Sequence, residues 1–70
     1  MAHISPSDII FATVSLRGAI VASLKLSGIT TYQELIAHIR RSLTTLRGMV
    51  TLDLRCLTGG WTQRSAILVS

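Results

Sequence analysis

A chain of 70 residues makes one domain, near the lower size at which a single core is stable without disulfides or a metal. It is 49% hydrophobic and 14% charged, with mean hydropathy +0.54; soluble domains carry about 25% charge, so the apolar surplus points to self-association or a partner. The single cysteine, Cys56, excludes an intrachain disulfide and a cysteine-based zinc site, and reads as a small buried hydrophobe.

Seven Lys and Arg against three Asp and Glu give a net charge of +4 and a pI near 10.8, a balance compatible with nucleic acid or another anionic surface. The cations are scattered, with only Arg40 and Arg41 adjacent. Six of the seven are Arg, the side chain suited to bidentate pairing with phosphate or carboxylate. The longest apolar stretch, Ile9 to Leu26, is interrupted by Arg17, Gly18, Lys25 and several hydroxyl residues, so it fails the test of ~20 uninterrupted apolar residues for a spanning helix. The N-terminus lacks the basic-then-apolar layout of a leader. The expectation is a cytoplasmic protein with no membrane partner.

In chain order, residues 1–7 form a lead-in. Ser5-Pro6-Ser7 marks a turn or extended entry, and His3 reads as a solvent-exposed terminal side chain. Residues 8–70 form the domain. Asp8 to Arg17 alternates as a strand, with Ile10, Ala12, Val14 and Leu16 on one face and Ile9, Phe11, Thr13, Ser15 and Arg17 on the other. Ala19 to Leu26 repeats the pattern, with Ile20, Ala22, Leu24 and Leu26 inward and Ala19, Val21, Ser23 and Lys25 outward. A three-residue connection around Gly18, or a bulge, sets Val14 against Ala22 and Ala12 against Leu24. A plain two-residue turn sets Ile10 against Lys25 instead.

Ser27-Gly28 ends the second strand, and Thr31 to Gly48 reads as an amphipathic helix with both ends marked. Thr31 and Glu34 have the spacing of a capping box. Leu35, Ile36, Ile39, Leu43 and Leu46 fall on one stripe of the 3.6-residue period, and Ala37, Arg40, Arg41 and Thr44 take the opposite face. Arg47 suits the negative end of the helix, and Gly48 is the residue type that stops it. Met49 to Cys56 is a third alternating strand, with Val50, Leu52, Leu54 and Cys56 inward. Leu57-Thr58-Gly59-Gly60 is a hairpin turn whose glycines are free to take positive φ. The fourth strand runs from Trp61 to Val69. Its apolar set Ile67 and Val69 is assigned to the core, with Thr62, Arg64, Ala66 and Leu68 on the far face, although this register also turns Gln63 and Ser65 inward.

The elements therefore read ββαββ, an α+β fold with a four-stranded mixed sheet and one helix packed on one face. The first and last strands are expected as parallel central neighbours, with strands two and three at the edges. This element order resembles that of ubiquitin-like and protein G-like β-grasp domains over most of the chain. The resemblance rests on order alone, so it implies a fold and carries no binding residues. The similarity of VSLRG at 14–18 to LDLRC at 52–56 is explained by shared strand chemistry.

For catalysis there is little material. Glu34 and His38 are spaced as an ordinary helix-stabilising pair, and Asp8 and Asp53 lie on different strands. Gly59-Gly60 lacks the Lys-Ser/Thr and the helix of a phosphate loop. No enzyme activity, cofactor or metal is expected. The helix covers one sheet face, which leaves Phe11, Arg17, Val21, Lys25, Arg55 and Arg64 on an open face. Trp61 closes one end of the core or, at an exposed hairpin tip, serves as a binding anchor. The function expected is a small interaction module that self-associates, or takes a protein partner, through the open face or an edge strand. The alternative is nucleic-acid binding through Arg17, Lys25, Arg55 and Arg64 on the sheet, or through Arg40, Arg41 and Arg47 on the helix.

Overall fold

The computed structural model describes residues 8–69. The lead-in over 1–7, with His3 and Pro6, and residue Ser70 lie outside the described residues. The elements are β1 (Ile9–Leu16), β2 (Ala19–Ile29), α1 (Tyr32–Ser42), β3 (Gly48–Cys56) and β4 (Trp61–Leu68). The strands form one open sheet in the order β2-β1-β3-β4, with every neighbouring pair antiparallel. Leu35 and Ile39 of α1 pack on one face against Ile9, Ala12, Val14, Leu26, Ile29, Val50, Leu52, Leu54, Cys56 and Leu68. Cys56 is buried in this core as a free thiol.

The mixed, β-grasp-like sheet is corrected. β3 rather than β4 lies beside β1, no central pair is parallel, and the edges are β2 and β4 instead of β2 and β3. The helix joins β2 to β3, which both run antiparallel to β1 and flank it. Residue chemistry accounts for the exchange. The inward positions of β3 are Val50, Leu52, Leu54 and Cys56, all buried. Those of β4 include Arg64, which pairs with Leu52 and so shares its row. In a central strand that guanidinium would be buried without a partner, a heavy penalty; at the edge it reaches water along its own stem.

The face assignment of β4 is corrected with it. Leu68 is buried, and Ala66 packs against the core. Ile67 and Val69, assigned to the core from the sequence, are exposed, as is Trp61.

Local irregularities explain the remaining differences. Leu16 pairs with Ala19, so the first hairpin turns on two residues, Arg17 at φ 53° and Gly18 at φ 82°. Two successive left-handed residues make the turn that matches strand twist. Ser15 then pairs with Ile20 but Val14 with Ala22, which leaves Val21 as an extra residue. This bulge restores the pairs Val14–Ala22 and Ala12–Leu24 despite the two-residue turn. It also turns Ile20 away from the core to the open face, where it is exposed.

At the other end of β1, Phe11 pairs with Arg55 and Ile9 with Cys56, so Ile10 is the extra residue and Ile9 enters the core in its place. β2 does not stop at Ser27-Gly28. Gly28, at φ 73°, bends it and Ile29 continues into the core opposite Ile9.

Helix α1 begins as the capping box requires. Glu34 N–H donates to Thr31 Oγ1 at 3.1 Å, and Thr31 N–H donates to Glu34 Oε1 at 3.1 Å. It ends well before Gly48. Leu43 is the C-cap, its N–H donating to the Ile39 carbonyl at 2.8 Å. Ser42 is the last helical residue, and Thr44 and Thr45 follow the cap; their hydroxyls and branching favour non-helical backbone. Leu43 and Leu46 still pack against the core, from the connection rather than from the helix. Gly48 does take positive φ, 103°, but at the start of β3; Gly59 and Gly60 do not. No helix among the described residues is long and apolar enough to cross a membrane.

Candidate interaction surfaces

The strand registers arrange the open face in rows. Phe11 pairs with Lys25 on one side and Arg55 on the other, and Arg55 pairs with Trp61, so one row runs Lys25, Phe11, Arg55, Trp61 across all four strands. The next row is polar: Ser23, Thr13, Asp53 and Gln63. The row after it carries Ile20, Ser15, Thr51 and Ser65. Apolar side chains thus sit at the ends of this face and hydroxyl and amide groups across its middle.

The first row is a connected cluster. The Phe11 and Trp61 rings meet edge to face, their centroids 6.2 Å apart and their planes at 89°, a favoured aromatic geometry. The Arg55 guanidinium carbon lies 5.9 Å from the centroid of the Trp61 ring, within cation–π range. Trp61 remains 54% exposed, which decides between the two placements offered by the sequence: it does not close the core. In the neighbouring row, Gln63 Nε2 donates to Asp53 Oδ1 at 3.1 Å.

The second surface is the free edge of β4 and the groove beside it. β4 keeps step with β3 from Gly48–Leu68 to Arg55–Trp61 without a register shift. Where β4 faces α1, a groove of about 470 Å³ is lined mainly by Tyr32, Ile36, Arg40, Met49, Ala66 and Ile67. Met49 and Ile67 pair across the two strands and are both exposed. The Tyr32 hydroxyl donates to the Ser65 carbonyl at 2.8 Å. Burial pushes this phenol above its ordinary pKa while the nearby Arg64 charge pulls it down, so it remains a proton donor at neutral pH.

The candidate residues divide accordingly. Phe11, Lys25, Arg55 and Trp61 come together. Val21 lies apart in the bulge, and Arg17 in the hairpin turn. Arg64, expected on the open face, belongs to the helix-side row at the β4 edge. Arg40 and Arg41 are exposed in the last turn of α1, and Arg47 is exposed in the connection to β3. The β4 groove was missed because Ile67 was assigned to the core. Strand parity gave no cue to it: Arg64 shares a face with Leu68, and only an edge position lets the one reach water while the other is buried.

At the helix start Glu34 accepts on Oε1 from the N–H and Oγ1 of both Thr30 and Thr31 at 3.1–3.2 Å. Among the described residues no group of three or more His, Cys, Asp or Glu side chains converges. No protein-family model, curated protein or solved structure matches this chain.

Proposed function

We propose that the chain is a small, non-enzymatic interaction module that self-associates through edge strand β4. The observation that carries this reading is the contrast between the two edges. Sheet edges resist pairing when they are bent, charged or interrupted by proline. β2 is bent twice, at Val21 and near Gly28, and carries Lys25. β4 is regular throughout; neither strand has a proline and each bears one charge, Lys25 or Arg64, so regularity is what sets β4 apart.

A second copy of the chain suits this edge. Antiparallel pairing of two β4 strands centred on Ser65 sets Arg64 against Ala66 of the other copy, and Gln63 against its Ile67. The two Arg64 side chains are thereby kept from meeting, since like charges directly opposite destabilise a pair. The exposed Met49, Ile67 and Val69 lie at the same margin, and the low charge content favours covering them.

Light scattering at low and high salt tests the reading. The wild-type chain should have an assembly mass that survives high salt, because apolar contacts are not screened. Ile67→Lys removes an apolar contact of about 1.5–3 kcal/mol in each copy and should weaken the dimer more than about tenfold, leaving a folded monomer. Phe11→Glu, on the open face, should leave the mass unchanged. A wild-type monomer at both salt concentrations, or a dimer split by Phe11→Glu and not by Ile67→Lys, would refute edge pairing.

A further inference from the structure

We infer that the row formed by Lys25, Phe11, Arg55 and Trp61 is a platform for single-stranded nucleic acid. The chain contains one Phe and one Trp, far apart in sequence, and the register brings both to one row with a cation beside each. Three interstrand steps make this row about 14 Å across. Side chains that merely covered the sheet would be expected to bury the indole, the largest apolar group available. More than half of Trp61 is instead left to solvent, with a guanidinium 5.9 Å from the ring centroid.

Alternating cations and flat rings match one polymer chemistry, a phosphate backbone carrying unpaired bases. Phosphates pair with Lys25 and Arg55, and a base stacks on the exposed part of Trp61, held upright by its edge contact with Phe11. The net charge of +4 supplies the long-range attraction. Thr13 and Ser23 in the adjoining row offer hydroxyls to sugars and base edges. The Asp53 carboxylate, partly engaged by Gln63, accepts from amino or hydroxyl groups. A duplex keeps its bases stacked within the helix and so cannot use Trp61 in this way. In the β4 pairing proposed above, Trp61 stands beside Val69 of the other copy, so the row is flanked at that end while its face stays open; Ile67→Lys separates the two proposals.

Trp61 is the only Trp in the chain, so its emission reports this row alone. The full chain, stripped of co-purified nucleic acid, is titrated with short oligouridylate and oligothymidylate and with a duplex of the same length. Either single strand should quench Trp61, the duplex should not, and two phosphate contacts should give a log–log salt slope of about −1.4. With labelled oligonucleotide, Trp61→Leu and Arg55→Gln should each weaken binding about tenfold with unchanged circular dichroism. Removing two helix charges in Arg40→Gln/Arg41→Gln should cost less than about threefold, by loss of long-range attraction only. Ile67→Lys should bind as the wild type does. The inference is overturned if neither single strand quenches Trp61 at low salt, if the duplex quenches it equally, or if the helix variant loses as much as Arg55→Gln.

Discussion

Glu34 places one carboxylate oxygen where the N–H and hydroxyl groups of Thr30 and Thr31 converge. The Thr30 N–H is the largest influence, followed by the Thr31 and Thr30 hydroxyls, and together they hold the carboxyl below its ordinary pKa. A depressed folded-state pKa stabilises the fold above the unfolded value, and that stability is lost as pH falls through the folded value. Urea melts should therefore show the wild type weakening through this acidic window, and Glu34→Gln should flatten that part of the profile. Thr31→Ala removes the acceptor for the Glu34 N–H and should cost about 1 kcal/mol at neutral pH. The opposite sign is expected at Arg17, a non-glycine residue at φ 53°. Asn tolerates that conformation better, so Arg17→Asn should raise stability by about 0.5–1 kcal/mol in the same melts.

At the scale of elements, a side-chain bond ties the helix to β4, from Tyr32 to the Ser65 carbonyl. Ser65 is the centre of the pairing proposed above, so Tyr32 competes with an incoming strand for this one acceptor. Tyr32→Phe should lower monomer stability by about 0.5–1.5 kcal/mol and, by freeing the carbonyl, tighten self-association; a concentration series in light scattering separates the two effects. The strands and the helix start were readable from the sequence because alternation and the capping box are local signals. Which hairpin strand takes the centre was not. That choice depended on Arg64, whose burial is a property of the whole sheet. Nor were Ile9 and Ile10 separable, since a bulge is invisible to alternation and either isoleucine satisfies the pattern.

On the scale of the whole molecule, the helix and its arginines cover one side of the sheet, and the row from Lys25 to Trp61 occupies the other. The sequence supplied the residues of that row but not their order. Phe11 and Trp61 became neighbours only because β3 lies between β1 and β4 and carries Arg55. The exchange of β3 and β4 relative to a β-grasp sheet is therefore also what creates the candidate site.

The bent course of β2 has one more consequence. A protein with two straight, open edges can add copies at both and grow without limit. Here a pair joined through β4 would present only β2 at each outer margin, and the displaced residues at Val21 and Gly28 break the ladder that another copy would have to match. An assembly built through β4 would then close at two copies, a finite dimer with a continuous sheet, rather than run on as a filament.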